Sequence, residues 1–186
     1  IGAALAAAAV HLRPAGDPQP AFVASERRGE RISSPAVNLA TIIDPHPGEA
    51  TALISRGRET DYDTLRTQVA ALRGALVEMG LEPGERLAII AGNNWYFVVS
   101  YLAALGAGLV AVPLNPTNPA VAMAHELSES GAVAIVATPT ARAALREIDW
   151  STLPDVRTFI GAGFEPGPLG VDIDTEMLGW CRRHFD

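Results

Sequence analysis

Apolar residues recur along this chain with two different spacings, one typical of helices and one typical of buried strands. Between residues 63 and 79 they follow one another at intervals of three or four, with arginine and glutamate between them. This spacing predicts an amphipathic helix. The short run 86–91 contains Leu87, Ile89 and Ile90, and it predicts a buried strand. The chain therefore combines helices with buried strands.

The least polar part of the chain is the stretch 93–118, in which no residue is charged at pH 7. It opens with Asn93 and Asn94, which are typical helix N-cap residues. The residues from 95 to 105 are apolar on nearly every side. We therefore predict a helix over 95–105 that is buried all round, and we expect the rest of the chain to be organised around it.

Glycine and proline divide the second half of this stretch. Gly106 and Gly108 are typical of the end of a helix, and the run 109–112 predicts a short buried strand that stops at Pro113. The apolar run 97–114 is nearly long enough to cross a membrane, but these residues break it into a helix and a strand. We interpret it as part of a soluble core.

Helices and strands alternate through the rest of the chain. The further predicted elements are, in chain order, a short helix at 39–43, a β-hairpin of 51–55 and 59–62 with its turn at 56–58, a helix that follows Pro119 and ends at Ser130, a strand at 133–137, a helix from 139 to about 148 and a last strand at 156–160. Such alternation at short spacing predicts parallel strands joined by right-handed crossovers. The predicted fold class is α/β, with an open, mostly parallel sheet and helices on both faces.

The sequence divides into a leader and one α/β unit. Residues 1–36 hold an alanine-rich opening and a linker rich in proline and glycine, so we expect part of this leader to be disordered. Residues 37–186 fit one subdomain, since about 150 residues is the usual length of a domain. The opening lacks the basic region of a signal peptide and does not begin with Met, which favours a trimmed terminus. The single cysteine, Cys181, is compatible with a reducing compartment, so we expect a cytoplasmic protein.

The charged residues argue against two kinds of function. The formal net charge is −7 and the basic residues are not concentrated in one region, so we expect no binding to nucleic acid. All 14 basic residues are arginine. Because the chain has no lysine, it offers no lysine-dependent phosphate contact, Schiff base or general acid. Nothing in the sequence supports a peripheral contact with a membrane.

Two pairs of glycines invite a dinucleotide-binding interpretation, and neither pair fits it. The fingerprint of such sites follows a strand, opens a helix and has a third glycine three positions further on. Gly106 and Gly108 instead follow a predicted helix and precede a strand. Gly161 and Gly163 follow a strand, but Pro166 stands where the third glycine belongs. We therefore predict no dinucleotide site on these loops.

The histidines and the single cysteine do not form a site in the sequence. The four histidines are too far apart to bind a metal from one helix or loop: His11, His46, His125 and His184. Cys181 lies three residues before His184, but a cysteine acts as a nucleophile only where its surroundings lower its pKa. Without such surroundings, a cysteine and a histidine at this spacing are more often surface residues without a catalytic role. His125 and Glu126 are best explained as a partly exposed polar pair on a helix.

Two further groups favour structural interpretations. Asp172, Asp174 and Glu176 alternate as a calcium-binding loop begins, but the glycine and the later glutamate of such a loop are absent, so a solvated acidic turn explains them better. Three successive aromatic residues at 95–97 on an apolar helix are usually part of a core. The sequence therefore provides no catalytic, cofactor-binding or metal-binding residue.

The order of the residues adds a resemblance to a known family. The segments D-Y-D-T-L at 61–65, L-G-A-G-L-V-A-V-P-L-N-P at 105–116 and L-S-E-S-G-A at 127–132 are similar, taken together, to the amino-terminal part of AMP-forming acyl-CoA synthetases. The resemblance covers roughly residues 38–160. The family commonly has a glutamate where this chain has Ala122, so the resemblance does not indicate a subfamily.

The resemblance implies a parent enzyme of the adenylate-forming ligases. Such an enzyme activates a fatty or other apolar carboxylic acid with ATP and Mg²⁺, releases pyrophosphate and transfers the acyl group to coenzyme A. The family's phosphate loop, its aromatic-Gly-x-Thr-Glu segment, its ribose-binding aspartate and its catalytic lysine have no matching positions here, and the loop is expected shortly after Asp186. The resemblance thus implies part of the large amino-terminal domain, cut before the first catalytic motif, which binds no cofactor alone and is inactive alone.

Two interpretations of the chain stay open at this point. It is either a fragment of such a ligase, whose partner is the remaining part of the ligase, or a free-standing, non-catalytic α/β module that binds a ligand or another protein. A severed subdomain should expose the apolar surface that packed against its missing partner. On the first interpretation we expect the isolated chain to form homodimers or to aggregate through that surface.

Overall fold

The computed structural model describes residues 38–164 and the backbone of residues 170–172. In chain order its elements are a 3-10 helix Leu39–Ile43, β1 Thr51–Ser55, β2 Arg58–Asp61, α1 Tyr62–Glu78, β3 Arg86–Ile90, α2 Trp95–Gly106, β4 Val110–Leu114, α3 Ala120–Ser130, β5 Ala134–Ala137, a 3-10 helix Pro139–Ala141, α4 Arg142–Glu147, a 3-10 helix Trp150–Thr152, β6 Thr158–Gly161 and β7 Gly170–Asp172. The predicted alternation of helices and strands is confirmed.

Five parallel strands form one sheet at the centre of this unit. Their spatial order is β4-β3-β5-β6-β7, and each neighbouring pair is parallel. Along β3, Leu87 and Ile89 belong to one buried apolar cluster, while Ala88 and Ile90 belong to a second cluster. The first cluster also contains the buried residues of α1 and α2, and the second contains those of α3 and α4. Helices therefore cover both faces, which confirms the predicted open α/β fold.

The hairpin and the amphipathic helix form where the sequence predicts them. Strands β1 and β2 are antiparallel, and Arg56 and Gly57 form the turn with φ angles of 51° and 79°. Positive φ at both central residues is the geometry of the type I′ turns that suit hairpins. Helix α1 follows Asp61, whose carboxylate accepts the backbone N–H of Thr64 at 2.7 Å. Gly80 follows its end with φ of 78°, a left-handed conformation that terminates helices.

Helix α2 is less completely buried than its apolar sequence predicts, since five of its twelve residues are buried and the other seven are half-buried. Its N-cap is Asn94, whose Oδ1 accepts the backbone N–H of Phe97 at 3.2 Å. None of the residues of α2 is exposed, and the three aromatic residues at 95–97 pack against the core. The interpretation of these aromatic residues as core residues is therefore confirmed.

The strand that follows α2 differs from its prediction. Strand β4 does not stop at Pro113 as a buried strand; it runs to Leu114, lies at one edge of the described sheet and has half-buried or exposed residues. Val110 donates its backbone N–H to the carbonyl of Glu85 on the β3 side. Because alternate residues of a strand face the same neighbour, Pro113 faces the open edge. Its missing N–H therefore costs no hydrogen bond there.

Smaller features also differ from the sequence-based expectations. The helix at 39–43 is a 3-10 helix, and the helix predicted from 139 begins with a 3-10 turn. Strand β6 begins at Thr158, two residues later than predicted, and it is not the last strand, since β7 lies beside it. Asp172 is the last residue of β7 instead of part of an acidic turn. A strand of three residues is too short for an alternating pattern to be recognised.

Within the described ranges, no helix combines the length and the apolar character that a membrane span requires. The leader 1–36 lies outside the described residues. Its disorder and the division of the chain near residue 36 therefore stay predictions.

Candidate functional site

The connections around β3 run in opposite directions. From β3 the chain passes through α2 to β4 on one side, and from β4 it passes through α3 to β5 on the other side of β3. In open parallel sheets such a reversal creates a crevice outside the carboxyl ends of the strands, where ligands bind. The topology therefore places a candidate site at the carboxyl ends of β3, β4 and β5.

A cavity with a volume of about 460 Å³ lies at this place, and we call it the strand-end crevice. It is bordered by the residues that directly follow β3 and β4, by a residue shortly after β5 and by the tip of the hairpin. Its polar side chains are Asn93, Asn94, Asn115, Thr117, Thr140 and Arg56. None of the described lining residues is acidic. The crevice is thus polar, and its formal charge comes from arginine.

Local hydrogen bonds fix two asparagine side chains of the strand-end crevice. Asn94 Oδ1 accepts the backbone N–H of Phe97 at 3.2 Å. Asn115 Oδ1 accepts the backbone N–H and the hydroxyl of Thr117, at 3.0 and 2.9 Å. Because a backbone N–H can only donate, these bonds decide which amide atom is the oxygen. Both side-chain NH₂ groups are left without a hydrogen-bond partner among the described residues.

Arg56 supplies the positive charge of the crevice from the tip of the hairpin. It is exposed, and its guanidinium makes no hydrogen bond or ion pair within residues 38–164. The preceding residue, Ser55, accepts the backbone N–H of Trp95 with its hydroxyl oxygen at 3.2 Å. Trp95 also donates its Nε1–H to Gln68 Oε1 at 2.8 Å. These bonds tie the hairpin to the start of α2 and to α1, and they keep Arg56 beside the crevice.

The chemistry that these side chains can perform is binding. The described lining residues include no carboxylate, imidazole, thiol or amine. A threonine hydroxyl needs an adjacent base to act as a nucleophile, and the crevice offers none from these residues. The arrangement can therefore orient a polar ligand but does not itself supply a general acid or base.

The histidines singled out in the sequence that the structure describes, His46 and His125, do not line this crevice. His46 stacks on Tyr62, with ring centroids 4.3 Å apart. His125 is exposed on α3, while its neighbour Glu126 accepts both hydrogen bonds of Asn118 Nδ2, at 2.8 and 3.0 Å. Within the described residues, His, Cys, Asp and Glu form no group that could hold a metal ion. Outside the described residues lie His11, Asp174, Glu176, Cys181 and His184.

Carboxyl groups with lowered pKa values stabilise the fold and do not line the crevice. Asp61 and Asp149 both cap helices, and their pKa values are lowered by hydrogen bonds that their carboxylates accept. The donors are Thr64 for Asp61 and Ser151 for Asp149; in each case the side-chain hydroxyl has the larger effect and the backbone N–H the smaller. The pKa of Glu85 is lowered first by a hydrogen bond from the Arg157 guanidinium and then by the backbone N–H of Glu82. The Arg157–Glu85 ion pair, 2.5 Å long, joins the residue that directly precedes β3 to the residue that directly precedes β6.

Comparisons with known proteins identify the family. The family model of AMP-binding enzymes matches residues 40–166, and the chain belongs to this family. It is 30% identical over 156 residues to the AMB antimetabolite synthetase AmbE of Pseudomonas aeruginosa, which covers 78% of this chain and 7% of that protein. It is 36% identical over 109 residues to the 3-[(3aS,4S,7aS)-7a-methyl-1,5-dioxo-octahydro-1H-inden-4-yl]propanoyl:CoA ligase of Mycobacterium tuberculosis, which covers 58% of this chain and 22% of that protein.

Solved structures share the fold of the described unit. The anthranilate CoA ligase AuaEII superposes with a TM-score of 0.70 at 18% identity, over 80% of this chain and 28% of that chain. The amide bond synthetase McbA from Marinactinospora thermotolerans superposes with a TM-score of 0.60 at 27% identity, over 74% of this chain and 27% of that chain. The α/β unit therefore matches the amino-terminal domain of adenylate-forming ligases. This chain spans less than a third of each of these four proteins.

The strand-end crevice was not predicted from the sequence, although part of its signal is present there. Asn93 closely follows the first predicted strand of the sheet, Asn115 closely follows the second, and Thr140 follows the third. Because the carboxyl ends of parallel strands meet at one edge of a sheet, these polar side chains could have been grouped. Arg56 could not, because tertiary contacts of the hairpin place it there.

Proposed function

We propose that this chain is an amino-terminal portion of an ATP-dependent, AMP-forming carboxylate–CoA ligase. The observation that carries the proposal is the match of the AMP-binding enzyme model over residues 40–166. The whole enzyme would join the carboxylate to AMP with Mg²⁺-bound ATP and release pyrophosphate. The thiol of coenzyme A would then attack the acyl carbon, so that a thioester forms and AMP leaves.

The proposed acyl acceptor and acid follow from a relative. The Mycobacterium tuberculosis protein, at 36% identity, is named a CoA ligase, and its acyl group is a largely hydrocarbon bicyclic propanoyl group. This supports coenzyme A as the acceptor and a fatty or other apolar acid as the substrate. We also propose a cytoplasmic location, on the basis of the single cysteine and the ordinary location of ATP and coenzyme A.

The proposed role of this chain within the enzyme is that of a scaffold, inactive on its own. The chain has no lysine, and the described residues of its crevice include no group that could act as an acid or base. Its contribution to catalysis would be to support the remaining part of the ligase and to hold one polar crevice. The adenylate-forming groups would come from that remaining part.

A comparison of this chain with a longer protein tests the proposal. We would measure ATP–pyrophosphate exchange with a panel of carboxylates, for this chain and for the same sequence extended to the full length of the family, with reactions lacking carboxylate as controls. Exchange is expected from the extended protein and not from this chain. Exchange by this chain alone would refute the inactive role, and its absence from the folded, extended protein would favour a non-catalytic module.

The acyl acceptor needs its own assay. Incubation of the extended protein with ATP, carboxylate and either coenzyme A or a primary amine is expected to give the CoA thioester, detected by mass spectrometry. Amide formation without thioester would replace the ligase proposal by an amide synthetase, the activity named for McbA.

Exposed apolar residues support a further part of the proposal, contact with the rest of the enzyme. Leu39 and Ile42 are 51% and 56% exposed, and residues three apart on a 3-10 helix lie on the same side. We expect this side to pack against the remainder of the ligase and to cause the isolated chain to self-associate. Sedimentation velocity should show dimers that Ile42→Glu reduces; a monomer at all concentrations would contradict this expectation.

A further inference from the structure

We propose that the strand-end crevice binds an oxyanion group, a phosphate or a carboxylate, of a small molecule. The proposal concerns side chains of this chain alone and does not rest on the ligase function. Three observations support it: the direction of the hydrogen bonds in the crevice, its charge, and its place in the sheet.

The hydrogen bonds leave the crevice rich in donors. The amide oxygens of Asn94 and Asn115 are occupied by backbone N–H groups at 3.2 and 3.0 Å, so each side chain offers its NH₂ group to a ligand. An NH₂ group donates and cannot accept. A ligand that satisfies both groups must therefore supply acceptors, and an oxyanion supplies several.

The charge of the crevice also favours a ligand with negatively charged acceptor atoms. Arg56 lines it without an ion-pair partner in residues 38–164, and none of the described lining residues is acidic. This arrangement contrasts with the chain as a whole, whose formal net charge is −7. The planar fork of a guanidinium matches both phosphate and carboxylate in bidentate geometry. An unpaired arginine among amide donors therefore favours an anion over a neutral ligand.

The position and size of the crevice favour a small molecule that carries this anion. The crevice lies outside the carboxyl ends of β3, β4 and β5, where the direction of the connections reverses. Its volume of about 460 Å³ is within the roughly 300–1,000 Å³ of small-molecule sites. A single phosphate would fill a fraction of it, so the oxyanion would be one group of a larger ligand.

Titration of the chain with simple anions tests the site. Inorganic pyrophosphate and acetate would be added separately to ¹⁵N-labelled chain, while NMR follows the side-chain amide signals of Asn94 and Asn115. We expect saturable shifts with at least one probe. Arg56→Gln should weaken that binding by at least about tenfold, since a charge-assisted bidentate contact is lost. Arg58→Gln is the matched control, because Arg58 belongs to the same hairpin, carries the same charge and does not line the crevice.

A second variant separates binding from folding. Asn94→Asp keeps the oxygen that caps α2, and aspartate is as good an N-cap as asparagine. It replaces the NH₂ donor by a second anionic oxygen, which repels the ligand. We expect Asn94→Asp to remain folded, with an unchanged or higher melting temperature, and to lose detectable binding of either probe.

The outcomes separate the two sources of the oxyanion and can overturn the proposal. Binding of pyrophosphate alone identifies a phosphate group, and binding of acetate alone identifies a carboxylate. Absence of saturable shifts with both probes, equal weakening by Arg56→Gln and Arg58→Gln, or unchanged binding by folded Asn94→Asp would each overturn it. Because the measurement is binding to this chain, failure of the ATP–pyrophosphate exchange assay leaves it unaffected.

Discussion

The hydroxyl of Ser100 provides a direct test of the packing of α2. Ser100 is completely buried, and its Oγ has no hydrogen-bond partner among the described residues. A buried hydroxyl without a partner costs about 1–3 kcal/mol of stability. We therefore predict that Ser100→Ala makes the chain more stable, which is the opposite of the usual effect of a core substitution.

The magnitude can be worked out from three contributions. Removing the unpaired hydroxyl gains about 1–3 kcal/mol, and alanine has a helix propensity about 0.5 kcal/mol better than that of serine. The missing oxygen leaves a void of about 10 Å³, which costs roughly 0.2 kcal/mol at about 24 cal/mol per Å³. The expected result is a gain of about 1–3 kcal/mol in the free energy of unfolding.

Urea unfolding of the chain measures this gain, and thermal unfolding should show an increase of about 2–4 °C per kcal/mol. Ser128→Ala is the matched control, because Ser128 is an exposed serine on α3 and its substitution changes helix propensity without removing a buried hydroxyl. It should alter stability by about 0.5 kcal/mol or less. A loss of about 1 kcal/mol or more in Ser100→Ala would show that the hydroxyl has a partner, and would refute the reasoning.

Three other predictions concern a cap, an ion pair and the sheet edge. Asn94→Ala should lower stability by about 1 kcal/mol in urea unfolding, because the cap of α2 is lost. The pKa of Glu85 is lowered in the folded chain, mainly by its hydrogen bond from Arg157. The ionised carboxylate therefore stabilises the fold above the ordinary pKa of 4.5, and this stabilisation is lost as the pH falls through the pKa of the folded state. Arg157→Gln should therefore flatten the fall in melting temperature below about pH 4.5. Pro113→Val should leave stability within about 0.5 kcal/mol but increase self-association in sedimentation, because it adds an N–H and a β-branched side chain to an open edge.

Local periodicity was sufficient to predict the elements but not their places in the sheet. The spacing of apolar residues in α1 and the uniform apolar character of α2 are properties of each segment, so both helices form at the predicted positions. Whether a strand is central or lies at an edge depends on the order β4-β3-β5-β6-β7, which no single segment encodes. For that reason Pro113 was interpreted as a stop signal, although it lies inside an edge strand.

The same limit applies to the candidate site. The family resemblance is carried in part by P-L-N-P at 113–116, and the sequence alone assigns no binding residue to that segment. The structure shows that its asparagine, Asn115, also lines the strand-end crevice with an oriented amide. The orientation of the Asn115 amide depends on the three-residue turn 115–117. Its contribution to binding an anion also depends on Arg56, which is 59 positions earlier in the chain. Only the packing of the hairpin against α2 brings these two residues to one crevice.

Scaffold and crevice are connected through the first residue of α2. Trp95 packs against the core. It donates a hydrogen bond from its backbone N–H to the Ser55 hydroxyl oxygen and another from its indole N–H to Gln68 Oε1. Ser55 directly precedes Arg56, and Trp95 directly follows the capping Asn94. The burial of α2 therefore fixes, in one place, both the cation and one of the amide donors of the proposed oxyanion site. An apolar helix that contains no charged residue thus helps to determine the geometry of the strand-end crevice, because it anchors the polar residues on either side of its start.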